Sequence, residues 1–325
     1  VGYRFTGQLE RIAVGRTLAS SLDLKAGDSV PHRQHFILDT LIGRSAGSEV
    51  WTARHHKTRE LLVYKFSPDG ERLSTLKREA TLYRVLRDSL GERPDIVRII
   101  DWNFEAPPFF LECEYGGLNL PEWADADGTL AAMSLPQRLE LFLQIADVVA
   151  AAHGVGVLHK DLKPTNVLVA SRGDGAWQIR LTDFGSGRLL EPNRLAEIGV
   201  TRLGLTLTQS MLADSTSGTP LYLAPELIAG QTPTVQSDLF ALGIMLYQFA
   251  VADLRKPMVP GWERDIPDEL LREDIAAATD GDRTRRLATV AELAERLRTL
   301  ESRRTERQRT VAAELAARSA KEALQ

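Results

Sequence analysis

The chain has 325 residues, a formal net charge of −4, 43% hydrophobic residues and 26% charged residues, as in a globular protein large enough for one domain or two lobes. The acidic balance excludes a broad basic surface for nucleic acid, and the lone Cys113 excludes an internal disulfide, so we expect a cytoplasmic setting. No apolar run reaches the roughly 20 residues of a membrane helix. The first residue is Val1 rather than Met, which fits a fragment whose full-length protein carries a membrane tether or other domains elsewhere.

Strand-like patterns dominate the N-terminal part of the chain. Residues 1–35 are weakly periodic and predict an extension or linker. Strands are predicted for "HFILDTLI", "SEVWTARH", "ELLVYKF", "DIVRIIDWNF" and "PFFLECEY". Residues 71–90 place apolar side chains at three- and four-residue steps, as an amphipathic helix does. We therefore expect an antiparallel sheet with one helix over residues 36–115.

Helical patterns dominate the rest, after a predicted hinge at Gly116 and Gly117. "QRLELFLQIADVVAAAHGVG" predicts a long helix that ends in glycines, and the short strands "NVLV" and "QIRLTDF" follow it. Further helices are predicted at 237–252, 267–278, 288–300 and, as an exposed charged linker, 301–325. The expected fold class is α+β, with a mostly helical second part over residues 116–300.

Polar residues between the N-terminal elements suit the binding of phosphate groups, as phosphoryl transfer from ATP requires. "GRSAGSEV" lies between two strands, where a turn of small residues lets backbone N–H groups approach phosphate oxygens. Lys65 ends the third strand, and Glu79 lies on a helix face that can hold the Lys65 cation extended toward phosphates. The predicted phosphate-binding residues are Gly43, Ser45, Gly47, Ser48, Val50 and Lys65.

A second polar group follows the long helix, in "LHKDLKPTNVLV" (158–169). Asp161 can accept a proton from a substrate hydroxyl, and Lys163 can neutralise charge on the phosphoryl group in transit. Asn166 and, further along, Asp183 in "TDFG" offer the oxygen ligands that Mg²⁺ prefers, with Mn²⁺ as a second candidate. The predicted chemistry is metal-assisted transfer of a phosphoryl group to a hydroxyl.

Together these motifs resemble the eukaryotic-type (Hanks-type) serine/threonine protein kinase family, in a form we expect from a bacterium. The resemblance covers about residues 36–300 and adds "APE" (224–226), "SDLFALG" (237–243) and "DGDRTRR" (280–286) in the family's order. It implies a bilobal protein-kinase fold with an N-lobe at 36–115 and a C-lobe at 116–300. It also implies Mg-ATP as the phosphate donor, protein substrates that include the chain's own activation loop, and a role in signalling.

The resemblance assigns further residues. Asp238 would brace the catalytic loop, Arg286 would pair with Glu226, and Thr219 in "GTPLY" would bridge Asp161 and Lys163. The loop form "DLKPTN" is that of serine/threonine rather than tyrosine kinases. The hinge would bind the adenine edge through its backbone, with a gatekeeper side chain behind the base; these residues are Cys113, Glu114, Tyr115 and Gly116.

Two departures from the family pattern keep other functions open. Ser45 and Ser48 stand where the phosphate-binding loop commonly has glycine, and Lys160 stands where arginine commonly precedes the catalytic acid. Lysine lacks the planar fork that grips a phosphorylated loop, so Lys160 either binds such a loop more weakly or pairs with a nearby acid. The alternatives to an active kinase are an ATP-binding pseudokinase that acts as a scaffold or regulator, and a small-molecule kinase of the aminoglycoside-phosphotransferase type. The "APE" and "SDLFALG" segments argue against the latter.

The N-terminal end carries a weaker resemblance. "VGYRF" resembles the last strand of the winged-helix DNA-binding domain of response-regulator-like proteins. An upstream DNA-binding domain in the full-length protein is therefore one expectation, and an ordinary extension packed on the small lobe is the other. This segment itself is not expected to bind nucleic acid, and the sequence leaves the oligomeric state open.

Overall fold

A computed structural model describes residues 22–45, 48–68, 70–126, 129–173, 175–190 and 220–323. The predictions for the N-terminal end, for Gly47, for Thr219 and for the activation-loop hydroxyls lie outside these residues, as does the side chain of Ser45. The chain divides into two compact units. The first unit comprises Val1–Leu73 and Trp102–Glu112, and the second unit comprises Ser74–Asp101 and Cys113–Gln325.

The large sheet has six strands in the spatial order β1-β2-β3-β4-β6-β5. Its strands are β1 (Ser29–Val30), β2 (Arg33–Ser45), β3 (Ser48–His55), β4 (Leu61–Ser67), β5 (Ile99–Asn103) and β6 (Phe109–Glu114). In β4, Leu62, Tyr64 and Phe66 are buried in the core of the first unit, where the rings of Tyr64 and Phe110 meet edge to face at 5.5 Å. Side chains alternate across a strand, so Lys65 lies on the opposite face of β4.

The second unit contains most of the helical residues. The helices are α1 (Gly70–Leu90), α2 (Leu120–Asp125), α3 (Thr129–Ala132), α4 (Leu135–Gly154), α5 (Pro225–Ile228), α6 (Val235–Val251), α7 (Glu269–Thr279), α8 (Val290–Arg298) and α9 (Leu300–Ala323). The short strands are β7 (Leu118–Asn119), β8 (Val157–Leu158), β9 (Val167–Ser171), β10 (Trp177–Leu181) and β11 (Arg188–Leu189). Strands β10, β9 and β7 form a three-stranded sheet, and β11 pairs with β8.

Helices α4 and α6 form the centre of this unit because both are rich in apolar residues. The start of α4 is fixed by Ser134, whose backbone N–H donates to Gln137 Oε1 at 2.8 Å, as in a capping box. In α6, buried residues lie on all sides of the helix, as expected for a helix inside a core rather than on its surface. Among the helices that the structure describes, none is long and apolar enough to cross a membrane.

The sequence-based α+β class and the bilobal kinase architecture are confirmed. Three strands are shorter than predicted: "PFFLECEY" loses one residue at each end, and the other two differ more. In "DIVRIIDWNF" only Ile99–Asn103 forms a strand, because the segment before it bonds to β10 instead: Val97 N–H donates to Leu181 O at 3.0 Å, and Leu181 N–H to Asp95 O at 2.8 Å. In "QIRLTDF" the strand ends at Leu181 because Asp183 adopts φ +67°, in the left-handed region.

The C-terminal helix α9 is attached to the second unit by ion pairs along its first turns. Arg303 pairs with the buried Asp274 of α7 at 2.7 Å, Arg304 with Asp268 at 2.6 Å, and Arg307 with Glu273 at 2.9 Å. Beyond Arg307 its side chains are mostly exposed. Helix α9 therefore begins on the surface of α7 and extends into solvent.

Candidate active site

The loop between β8 and β9 is held by one buried carboxylate from α6. Asp238, only 2% exposed, accepts the backbone N–H of His159 at 2.9 Å and that of Lys160 at 2.8 Å. Lys160 has φ +68°, a conformation that non-glycine residues rarely adopt. These two bonds therefore fix the strained residue that directly precedes Asp161.

The charge state of Asp238 follows from its neighbours. Burial by itself would raise the pKa of its carboxyl, but His153, whose Nε2 lies 2.9 Å from Asp238 Oδ2, and His159 outweigh that effect and hold the pKa below its usual value. Asp238 is therefore ionised at neutral pH and accepts strong hydrogen bonds from the loop backbone.

Three predicted residues meet within the loop that Asp238 holds. Lys163 Nζ donates to Asp161 Oδ2 at 2.7 Å. Asn166 Nδ2 donates to Asp161 O at 2.8 Å and to Asp161 Oδ2 at 3.2 Å. The Asp161 side chain is 11% exposed and that of Lys163 is 23% exposed, so the carboxylate is oriented by its neighbours and still reachable from solvent.

The turn after β10 brings two further carboxylates close together. Phe184 is buried against the His159 ring at 4.7 Å, and His159 Nε2 donates to Thr182 O at 2.9 Å. A Cβ atom on Gly185 would lie 3.2 Å from Asp183 Oδ1 and 3.6 Å from Glu79 Oε2. The carboxylates of Asp183 and of the buried Glu79 therefore both approach Gly185, where an added Cβ would also lie 2.9 Å from Thr75 Cγ2.

The predicted hinge lies at the end of β6. Cys113 is 2% exposed and lines a small cavity together with Glu79 and Asp183. Both the backbone and the side chain of Glu114 bond to the Arg98 backbone: the Glu114 N–H donates to Arg98 O at 3.0 Å, and Glu114 Oε1 accepts from the Arg98 N–H at 2.9 Å. Tyr115 is exposed, whereas Gly116 is buried against Leu168. The gatekeeper candidate therefore shares a cavity with Asp183, a candidate metal ligand, and with Glu79.

Gly117→Ala is expected to destabilise the second unit. Gly117 has φ +109°, and an added Cβ would lie 2.2 Å from Val169 O, a backbone atom of β9 that cannot move aside cheaply. We expect the free energy of unfolding, measured by urea denaturation, to fall by about 1–3 kcal/mol or more. Gly154→Ala is the matched control, since nothing lies within 4 Å of its added Cβ; equal losses in the two variants would contradict this explanation.

The phosphate-binding candidates of the first unit form one row across three strands. Gly43 of β2 lies opposite Val50 of β3, and Val50 lies opposite Lys65 of β4. Ser45 pairs with Ser48 at the end of the β2–β3 hairpin, so β2 runs further into "GRSAGSEV" than predicted, whereas β3 begins at Ser48 as predicted. A Cβ on Gly43 would meet Val50 at 3.5 Å, which is ordinary contact. The row places a small residue, a β-branched residue and a cation side by side.

The pairing of Lys65 with Glu79 stays a prediction, because Lys65 belongs to the first unit and Glu79 to the second.

Two residues of the site were missed from the sequence. His153 supports Asp238 from the last turn of α4, and Arg78 Nη1 donates to Gly185 O at 3.5 Å. The only signal for His153 was a polar side chain in the last turn of an apolar helix.

The geometry of the second unit defines a class of protein: a carboxylate oriented by a lysine and an amide in one loop, with a further carboxylate after a neighbouring strand, as in phosphotransferases. The model of the protein kinase domain matches residues 36–307. The chain therefore belongs to the protein kinase family. Members of this family in general use ATP together with a divalent metal ion.

Several bacterial proteins are similar to this chain. The serine/threonine-protein kinase PkaA of Streptomyces coelicolor is 33% identical over 230 residues, which cover 67% of this chain and 39% of that protein. The serine/threonine-protein kinase pkn2 of Myxococcus xanthus is 33% identical over 204 residues, 62% of this chain and 21% of that protein. PrkC of Bacillus subtilis, also a serine/threonine-protein kinase, is 30% identical over 190 residues, 58% of this chain and 25% of that protein. The chain thus spans well under half the length of these relatives.

Proposed function

We propose that this chain is an active serine/threonine protein kinase that transfers the γ-phosphate of Mg-ATP to protein hydroxyls, including its own. The observation that carries the proposal is the Lys163–Asp161–Asn166 cluster within one braced loop. Among the described residues, the hydrogen bonds to the Asp161 side chain are all on Oδ2, which leaves Oδ1 for the proton of an incoming hydroxyl. The names of the similar proteins, all serine/threonine kinases, support the same reaction.

In this proposal, each of the chain's site residues has a different role in the transfer. Asp161 orients the substrate hydroxyl and takes its proton. Lys163, two residues later, places a positive charge beside the group in transit, where negative charge develops. Lys65 would anchor the α- and β-phosphates and Glu79 would hold Lys65, while the backbone of Glu114 to Gly116 would bind the adenine edge.

The residues present fit a magnesium ion. Asn166 uses its amide N–H groups on Asp161, and among the described residues nothing donates to its Oδ1. Asp183 offers a carboxylate near Gly185. Amide and carboxylate oxygens are the hard donors that Mg²⁺ prefers, so Asn166 and Asp183 would hold it. When bound, the ion supplies charge neutralisation for the phosphate oxygens.

The proposal is tested by phosphate incorporation. The chain is incubated with Mg-[γ-³²P]ATP and casein, beside a Lys65→Met variant and a Lys57→Met control on the exposed turn before β4. We expect label on phosphoserine or phosphothreonine with the parent and the Lys57 variant, and none with Lys65→Met. A parent that binds ATP and transfers no label, to itself or to casein, would favour the pseudokinase instead.

A further inference from the structure

A cavity of about 350 Å³ lies beyond the candidate site, on the far side of Tyr83. Its walls come from the end of α1, the segment that follows it, the end of β6 and strand β10. The lining residues that matter for its chemistry are Tyr83, Arg87, Arg93, Arg98, Glu114 and Arg180. We call it the rear cavity. Its volume lies within the range of small-molecule sites, about 300–1,000 Å³.

Two arginines of the rear cavity have hydrogen-bonding capacity that the protein leaves unused. Among the described residues, no acceptor bonds the exposed Arg98 guanidinium. Arg180 Nε is buried without a hydrogen-bond partner, and Arg180 Nη1 forms an ion pair with Glu114 Oε2 at 3.3 Å. Unsatisfied buried donors are rare in proteins and call for an explanation. An anion in the cavity would supply an acceptor to the exposed Arg98 guanidinium, and a shift of the Arg180 side chain would bring its Nε within reach of the same anion.

The other two arginines are each paired with an acid that lies outside the cavity lining. Arg93 pairs with Asp95, and Arg87 pairs with Asp88 at 3.1 Å. The lining contains four arginines and two glutamates, Glu92 and Glu114, while Asp88 and Asp95 balance Arg87 and Arg93 from outside the lining. The Glu114 carboxylate is held by the Arg98 backbone N–H. The charges around the cavity are therefore balanced, and the open Arg98 guanidinium, a charged donor, is what selects an anionic head group.

Apolar and hydroxyl groups complete the cavity. Leu86, Pro94 and Ile96 form part of its wall. Burial raises the pKa of the Tyr83 hydroxyl, and the charges of Arg87 and Arg98 oppose that rise only in part, so the hydroxyl is a neutral donor at physiological pH. A ligand with an anionic head and a short apolar body matches this combination.

We propose that the rear cavity binds a small organic anion, a carboxylate or phosphate group on an apolar body, between Arg98, Arg180 and Tyr83. The planar guanidinium fork accepts either head group in a bidentate manner. In binding Arg180, the anion also weakens the ion pair between Arg180 and Glu114.

The ligand is in a position to act on the candidate site, a consequence that rests on the proposed function. Tyr83 lines both the rear cavity and the small cavity that Cys113, Glu79 and Asp183 line. Glu79, Tyr83 and Arg87 follow one another at four-residue steps and so share one face of α1. An occupant of the rear cavity packs against the turn of α1 next to Glu79. It thereby stiffens the helix and favours ATP binding, and ATP favours the anion by the same factor.

Isothermal titration calorimetry tests the site with three probes: phenylphosphonate, phenylacetate and the neutral benzyl alcohol. We expect at least one of the two anions to bind the parent saturably and benzyl alcohol not to bind. In Arg98→Met and Arg180→Met, which keep an apolar stem, the affinity should fall about tenfold or more. Arg309→Met on the exposed part of α9 is the matched control, and thermal melting checks that each variant is folded.

Four results would overturn the inference or separate it from the proposed function. If neither anion binds saturably at low millimolar concentration, the site is excluded. If the parent and both arginine variants bind the anion with equal affinity, the anion binds at a different place. ATP titrations with and without the bound anion test the coupling, for which we expect about fivefold tighter ATP binding or more. Unchanged ATP affinity would overturn the coupling, whereas failure of ATP to bind under either condition would contradict the proposed kinase function.

Discussion

Asp161→Asn is expected to lower kcat for phosphate transfer to casein by about 10²–10⁴-fold, the contribution of a positioned general base. The dissociation constant for ATP should change little, because the proposed contact of Asp161 is with the acceptor hydroxyl rather than with the nucleotide. Steady-state ³²P transfer gives kcat, and equilibrium titration with a fluorescent ATP analogue gives the affinity. A loss confined to kcat assigns the residue to the transition state.

The geometry explains why the amide is the right replacement. An asparagine at 161 keeps an oxygen that can accept from Lys163 and Asn166, which lie 2.7 and 3.2 Å from Asp161 Oδ2. The backbone bonds from His159 and Lys160 to Asp238 do not involve the side chain at 161. The variant therefore removes the basic carboxylate and leaves the loop braced.

The control for this variant is Asp39→Asn, which changes an exposed carboxylate paired with Arg54 at 2.9 Å in the first unit. Its kcat should match the parent's. A fall of less than tenfold in Asp161→Asn would exclude Asp161 as the base. A parallel loss of ATP affinity would point to a structural role instead.

Local periodicity predicted most of the fold. "SEVWTARH" was predicted as a strand and is β3 over its whole length, and the helix predicted at 71–90 is α1, Gly70–Leu90. Alternation and three-to-four-residue spacing are properties of neighbouring residues, so a single segment reveals them. The prediction of a strand before β5 was wrong because that segment bonds to a distant part of the chain. Val97 bonds to Leu181, 84 positions along the chain, and no local pattern marks that pairing.

For the candidate site, the sequence supplied the order and spacing of polar residues but not their register. The row from Gly43 through Val50 to Lys65 depends on how β2, β3 and β4 align, and a shift of one residue would turn every side chain to the other face. His153 was missed for a related reason. Its partner Asp238 lies 85 positions away, and only the packing of α4 against α6 brings the two together.

Arg286→Met is expected to lower the free energy of unfolding by about 3–5 kcal/mol, the cost of leaving one partner of a buried ion pair uncompensated. The Arg286 side chain is fully buried, and its Nη1 and Nη2 donate to the Glu226 carboxylate at 2.9 and 3.1 Å. Urea denaturation measures the loss. Arg285→Met is the adjacent control: its side chain is 70% exposed and pairs with Asp280, so its effect should stay within about 0.5 kcal/mol.

The pH dependence of stability gives an independent measure of the same pair. Burial opposes ionisation of Glu226, but hydrogen bonds from Arg286 and Ser237 outweigh it and hold its pKa below the ordinary 4.5. A carboxyl with a lowered pKa stabilises the fold above its unfolded value and loses that contribution as the pH falls through the folded one. The unfolding free energy of the parent should therefore decline below about pH 4.5, and that of Glu226→Gln should decline less steeply.

The double variant Glu226→Leu/Arg286→Met separates the ion pair from the other contacts of Arg286. Each single variant leaves one buried charge without its partner, whereas the double variant leaves none. The double variant should therefore be more stable than the sum of the two single losses predicts. Recovery should stay incomplete, because Arg286 also donates to Asp280 O and Gln236 O, and those carbonyls lose their donor. Strictly additive losses would show that Arg286 stabilises the fold through these carbonyls alone. The pairing of Glu226 with Arg286 would then contribute nothing to holding α5, which carries Glu226, against α6.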